Sequence, residues 1–509
     1  MSSTSRRQFL HVAAASGALL GMGDLGFLSR LRPVTAQEAE LDPNVVKLTD
    51  DIEPLVRLLE ETPRQRLLEE VAERINKGLS YREVLAALLL AGVRNVQPRP
   101  NVGFKFHAVL VVNSAHLASL ASPDAERWLP IFWALDYFKD SQAVTQKESG
   151  WRMRPVNEAR LPTSVRAARR QFTSALDNWD EEQADAAIAV LARNCGSNEL
   201  YEIFCKCGAR DFRSIGHKAI YVANAWRTLN CIGWHHAEPV LRSLTYALLY
   251  HDGPNPAASD LPPDRPGRRN WELAKRLDTD WSLGRPSAEA TAELLATLRS
   301  GNENEAADQV LKLLQSGTAT ASIWDALFAG AAELLMRQPG IVALHAVTTT
   351  NALHHAFRTS EDDLARRWLL LQNAAFLPLF RQTMANRGKV QEHRIDQLEP
   401  AALTNGKPPE LGEIFATLST NRQAACQQAL AYLNHTNDPK SLINAARLLV
   451  FLKGNDSHDY KFSSAVMEDC FHTTSAWRNR FLAASMVQLR GSGGADNPLV
   501  SRTRAALKT

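Results

Sequence analysis

The chain has 509 residues, 45% of them hydrophobic and 22% charged, with a formal net charge of +3 at neutral pH. These are globular proportions that exclude wholesale disorder, and the length exceeds one ordinary core, so the chain divides into domains or runs as a repeat array. Four arginines and one aspartate fall in residues 1–36; removing them takes the basic residues from 58 to 54 and the acidic ones from 55 to 54, so no nucleic-acid partner or anionic membrane is implied.

The N-terminal stretch "TSRRQFLHVAAASGALLGMGDLGFL" sets Arg6 and Arg7 before Phe9, Leu10 and an Ala/Gly-rich run. That is the pattern of a twin-arginine (Tat) signal peptide, whose partner is the Tat translocase. Val34 and Ala36 stand at signal-peptidase spacing, so residues 1–36 are expected to be cleaved. An ordinary Sec signal or an uncleaved anchor is the competing reading. The expected location is periplasmic or otherwise extracytoplasmic. No later run reaches the roughly 18–20 apolar residues of a spanning helix, so no permanent membrane span is expected. Tat carries folded chains, which suits a cofactor acquired before export without naming one. Cys195, Cys205, Cys207, Cys231, Cys426 and Cys470 could pair in an oxidising compartment, and their spacing leaves the pairing open.

After an extension at 37–61, four blocks follow, each predicted to hold four helices by apolar spacing and by abundant Ala, Leu, Arg and Glu. Repeat 1 (62–140) reads "PRQRLLEEVAERINKG", "SYREVLAALLLAGVRN", "FKFHAVLVVNSAHLA" and "AERWLPIFWALDYF". A connector at 141–177 leads to repeat 2 (178–251), with "WDEEQADAAIAVLARNCGS", "NELYEIFCKCG", "GHKAIYVANAWRTL" and "AEPVLRSLTYALL". A Pro-rich connector (252–301) precedes repeat 3 (302–382), with "NENEAADQVLKLLQSG", "TASIWDALFAGAAELLMRQPG", "IVALHAVTTTNALHHAF" and "DDLARRWLLLQNAAFLPLF". After a connector at 383–419, repeat 4 (420–490) gives "TNRQAACQQALAYLNHT", "SLINAARLLVFLKGN", "YKFSSAVMEDCFHTT" and "AWRNRFLAASMVQL", and a tail covers 491–509. Gly78, Gly196, Gly317 and an asparagine at 434 or 437 fall between first and second helices, where a left-handed residue ends a helix. Connectors this long are expected to carry helices of their own. The predicted fold is all-α, with a four-fold internal repeat arranged as a curved α-solenoid or a closed helical ring.

The third helices share a polar triplet. Its first position is His107, Lys218, His345 or Ser463; six residues on stand Asn113, Asn224, Asn351 and Asp469; nine on stand His116, Arg227, His354 and His472. His217 misses this register by one. At about 100° per residue the last two positions share a face, whereas the first lies about 180° from the last and is expected to point elsewhere. A carboxylate or amide three residues before a histidine is the half-site spacing of helical metal proteins, so His116, His354, Asp469 and His472 are the metal candidates. In repeat 2 "GWHHAEP" offers His235, His236 and Glu238, and His236, Glu238, Asn113 and Asn351 are the cofactor-binding candidates. The competing reading makes the triplet a buried strut copied with the fold. His251, His393, His435 and His458 read as surface residues. "GMGDLG" falls inside the export signal with no strand before it and is a chance match to a dinucleotide fingerprint. No hydrolase elbow, phosphate loop, His-Glu-x-x-His or haem-attachment motif occurs.

The stretches "KFHAVLVVNSAHLASLAS", "GWHHAEPVLRSLTYAL" and "LHAVTTTNALHHAF" resemble the histidine-bearing helices of questin oxidase-like proteins. The resemblance covers three short helices and implies an oxidoreductase with a His-lined cavity. Two functions are carried forward: an exported helical oxidoreductase acting on a small organic substrate, with a transition metal as the cofactor its side chains admit, and a non-catalytic scaffold binding a protein or glycan of the cell envelope.

Overall fold

The computed structural model describes residue 48 and residues 51–98, 106–249 and 254–507; the stretch expected to be an export signal, with Arg6, Arg7 and Ala36, and His251 lie outside the described residues. Among the described residues every regular element is helical, and only two isolated bridges, Arg285 with Thr318 and Thr404 with Lys407, pair extended backbone. Helix α1 (Glu53–Glu61) leads into α2 (Arg64–Asn76), α3 (Tyr81–Asn95), α4 (His107–Leu120) and α5 (Leu129–Glu148). Next come α6 (Val165–Asp177), α7 (Glu181–Asn194), α8 (Ser197–Ala209), α9 (His217–Ile232) and α10 (Ala237–Leu248). Helices α11 (Arg265–Ala274), α12 (Ala288–Ser300), α13 (Glu303–Gln315), α14 (Thr320–Arg337), α15 (Ile341–Thr359) and α16 (Asp363–Ala385) follow. The chain closes with α17 (Leu411–Leu418), α18 (Arg422–Thr436), α19 (Pro439–Lys453), α20 (Ser457–His472), α21 (Ser475–Ser485) and α22 (Leu499–Ala506).

Local chemistry starts these helices where the periodicity places them. Ser80 with Glu83, Asn302 with Glu305 and Asp456 with Asp459 form capping boxes at α3, α13 and α20, each satisfying orphan amides of a first turn. Gly78, Gly317 and Asn437 end first helices in the left-handed conformation (φ +102°, +82° and +50°). Gly196 does not: it is the extended N-cap of α8. The connectors do carry helices, α6, α11, α12 and α17. The turn at Trp281 buries its ring and donates Nε1–H to Asp363 at 2.9 Å.

The third helices α4, α9, α15 and α20 make the centre. Each packs on two others, α4 on α9, α9 on α15, α15 on α20 and α20 back on α4, so the four close a ring. Outside them, the second helix of each block meets the fourth helix of the next: α3 with α10, α8 with α16, α14 with α21, and α19 with α5. First helices α2, α7, α13 and α18 lie on α5, α10, α16 and α21. Helices such as α15, buried along nearly their whole length, are apolar or small on most sides, as a central position requires. No helix among the described residues is long and apolar enough to cross a membrane.

Candidate metal centre

The polar residues of the central helices meet in tiers. At the N-terminal tier, His107, His217 and His345, from α4, α9 and α15, turn their Nε2 atoms together: His217 lies 3.2 Å from His107 and 2.9 Å from His345. All three are buried, and they form the one group of three or more potential metal-ligand side chains found among the described residues. The fourth helix contributes Lys461, whose Nζ stands 2.8 Å from His345 Nε2 and 3.3 Å from His107 Nε2. The ring of His458 packs 4.6 Å from His107 and 5.4 Å from His345, centre to centre.

Two of these rings are oriented from behind. His345 Nδ1–H donates to the Ile341 carbonyl at 2.6 Å and His217 Nδ1–H to the Ser214 carbonyl at 2.5 Å. A neutral imidazole holding its proton on Nδ1 presents a bare lone pair at Nε2, the tautomer that metal-ligating histidines adopt when a carbonyl holds the other nitrogen. Burial first, and the nearby Lys461 second, push both rings well below the usual histidine range, so neither carries a second proton. Burial likewise lowers Lys461 to about 7. The backbone before His217 is unusual: Ser214, Ile215 and Gly216 are left-handed in succession (φ 49°, 47° and 78°). For a β-branched residue such as Ile215 this is a strained conformation, of the sort a structure retains where it sets a functional side chain.

This arrangement revises the expected register. The leading position of the triplet points inward in α4 and α15, where His107 and His345 share the tier while His116, about 180° round α4, turns to Tyr81, and the residues filling the tier in α9 and α20 are His217 and Lys461 in place of Lys218 and Ser463. Lys218 instead pairs with buried Asp211 at 2.8 Å. His458, read as a surface residue, lies against the centre. The alternation of a helical turn carried too little information to fix the phase; a His at 217 beside a glycine was the available signal.

The middle tier gathers the amides. Asn113 Nδ2 donates to Asn224 Oδ1 at 3.2 Å, and Asn351 Nδ2 donates to Glu468 and to Asp469, each at 2.8 Å. Arg227 bridges Asn351 Oδ1 at 3.1 Å and Glu468 at 2.8 Å. Asn113, Asn224, Asn351, Arg227 and Lys461 line a central cavity of ≈ 10 Å³, room for about one water. Asp469 is buried beside Glu468, and burial first and that neighbour second hold its carboxyl well above the usual range, so it is protonated.

The four residues expected to ligate metal are spread out. His116 Nδ1 is paired with the Tyr81 hydroxyl at 2.9 Å, on the outer side of α4. At the C-terminal tier the rings of His354 and His472 lie 4.9 Å apart, His354 against Trp324 and Phe328, and His472 within 2.8 Å of Arg358. Asp469 serves Asn351. No group of three or more converging ligand atoms includes any of them among the described residues. Near α10, Glu238 is held by Arg193 at 2.8 Å, while the His235 and His236 rings pack 3.9 Å apart, tilted at 46° to each other. All six cysteines are free.

The central trio offers three neutral nitrogen donors. A first-row metal with bonds of about 2.0–2.1 Å in tetrahedral geometry needs donor separations of roughly 3.3 Å, close to those seen, and three protein ligands leave positions for water or substrate. Comparison with protein-family models, with curated proteins and with solved structures gives no match to any of them.

Proposed function

We propose that this chain is an exported metal-dependent oxidoreductase, with a first-row transition metal held on Nε2 of His107, His217 and His345 and a small organic molecule as substrate. One observation carries the metal: His217 and His345 point two Nε2 lone pairs at each other across 2.9 Å, with both Nδ1 protons committed to carbonyls. Lone pairs at that separation repel unless a cation lies between them. The Lys461 ammonium reaches His345 and, at a longer distance, His107, but no bond to His217 relieves the pair. When bound, the metal would supply electron transfer or oxygen activation at its open positions. The chain's residues would hold it: the carbonyls of Ser214 and Ile341 fix the tautomers, and Lys461, which burial lowers to about 7, can give up its proton when a cation takes the place beside it. Nitrogen-rich sites suit redox-active iron, copper or nickel as well as zinc. The resemblance to questin oxidase-like helices favours oxidation, and the twin-arginine pattern favours a cofactor loaded before export.

Metal content of chain purified after native export, by elemental analysis, tests the centre. About one metal per chain is expected in the wild type and a small fraction of that in His217→Ala and His345→Ala. Equal content in all three would place any metal elsewhere, and none in the wild type would leave the lysine-braced polar core and hence the scaffold reading. A site filled by zinc alone, with no change in electron paramagnetic resonance on reduction and reoxidation, would retain the centre and overturn the oxidoreductase. For the route, Arg6→Lys with Arg7→Lys should trap precursor in the cytoplasm; undiminished export would assign Sec.

A further inference from the structure

Arginines buried in this molecule sit on carboxylates: Arg94 on Glu53 and Glu60, Arg213 on Asp264, and Arg242 on Asp185. Arg447, on α19, is half-buried and has no hydrogen bond or ion pair to any described residue. It lines a cavity of ≈ 240 Å³ between α19 and the turn joining α4 to α5. Leu129, Pro130, Leu448 and Phe451 make the walls largely apolar. Glu126 also lines the cavity but makes no ion pair with Arg447. A guanidinium stays charged in proteins, so a half-buried one without an anion bears a desolvation cost that a ligand can remove. Burial alone lowers Arg447, to about 10, with no carboxylate opposing it.

We propose that this cavity is a binding site for a small organic carboxylate, its carboxylate on Arg447 and its short aliphatic or aryl body against Leu129, Leu448 and Phe451. The chemistry selects this class. Planar paired N–H groups match a carboxylate fork, whereas the apolar walls disfavour inorganic phosphate. At ≈ 240 Å³ the space lies just under the roughly 300–1,000 Å³ of drug-sized sites, so the occupant is small. The site is separate from the histidine tier: it opens beyond the C-terminal end of α4, roughly 20 Å along that helix from His107 at 1.5 Å per residue. Its position matters for the ring, because α19 meets α5 where the last block closes on the first. A ligand there bridges the two and stabilises the closure by mass action.

The probe is sodium octanoate, below its micellar range, added to the full chain and followed by calorimetric titration and thermal unfolding, with octanol and octylammonium as controls. Octanoate is expected to bind one to one and raise the unfolding midpoint. Octanol should bind at least about tenfold more weakly, since a charge-assisted hydrogen bond is lost. Octylammonium should not bind. Arg447→Met should weaken octanoate about 10- to 100-fold while its ligand-free midpoint equals or exceeds the wild type, because an unpaired charge is removed. Ala445→Leu, which fills the cavity and leaves Arg447 in place, should also block binding. Glu126→Gln should leave binding intact or strengthen it. Octanoate binding equally to Arg447→Met, or octanol matching octanoate, would overturn the proposal. So would absence of octanoate binding together with a lowered midpoint in Glu126→Gln, which would make Glu126 the partner of Arg447.

Discussion

Asp469 uses one carboxylate oxygen, which accepts from Asn351, while Oδ2 has no partner among the described residues. Held protonated by burial and by Glu468, it binds a proton in the folded chain at pH values where the unfolded chain has lost it. Its contribution therefore falls as pH rises above the unfolded carboxylate value. Asp469→Asn keeps an acceptor for Asn351 and removes the proton uptake that folding demands of Asp469 above the unfolded carboxylate value. It should raise unfolding free energy in urea by about 1–2 kcal/mol at pH 8 and by little at pH 4; an equal gain at both would assign the effect to packing. His354 has the opposite dependence. Burial first and His472 second push it down to about 3, so the unfolded chain takes up more protons below about 6.5. Stability is fully present above that value and is lost as pH falls towards 3. Between pH 6.5 and 5 the loss from His354 should reach about 2 kcal/mol, and His354→Phe should flatten that slope. An unchanged slope in the variant would put the acid sensitivity in other residues, such as His236, which burial lowers to about 4.

At the scale of the helix, the N-terminus of α9 decides whether the histidine tier forms. Gly216 is left-handed at φ +78°, and an added Cβ would fall directly on the Thr349 side chain of α15. Gly216→Ala should therefore cost about 1–3 kcal/mol from backbone strain, with crowding added, and should lower metal content although no ligand is changed. Full metal content in a folded Gly216→Ala chain would mean that His217 does not depend on this turn. The same helix shows what periodicity can convey. All sixteen expected helices exist, most within a few residues of their expected bounds, because caps, apolar spacing and terminal glycines act locally. The rotation of each helix about its own axis is not local. In α9 it follows three left-handed residues, two of them non-glycine, that no turn rule nominates, and the residue brought to the axis is His217, one before the leading position of the repeat register, which was expected to point elsewhere.

For the whole molecule, closure of the ring is the feature that short-range signals leave open between solenoid and circle. Helix α22 returns to pack on α2 and α5, burying Val500 and Ala506, and Arg502 donates to the Arg64 carbonyl at 2.7 Å. The segment before it is fastened by Asn497, whose amide groups reach the carbonyls of Leu452 and Gly454. Deleting residues 491–509 should lower unfolding free energy by about 2–4 kcal/mol, mainly from exposed apolar surface, with helical content otherwise retained. An unchanged urea midpoint would show that contacts of α19 with α5 and of α20 with α4 close the ring unaided.

Composition and periodicity alone determine the all-helical class, the positions of the helices and the presence of repeated histidines near the start of two third helices, because each depends on residues within a turn or two. They also mark His107 and His345 as equivalent. What only the tertiary structure decides is which side chains converge. His107, His217 and His345 are 110 and 128 residues apart along the chain, and their Nε2 atoms meet because four helices pack around one axis with a common end. The same packing turns His116 out to Tyr81 and sends Glu238 to Arg193. Neighbour spacing limits which residues share a face, whereas the direction a face points depends on every helix packed against it.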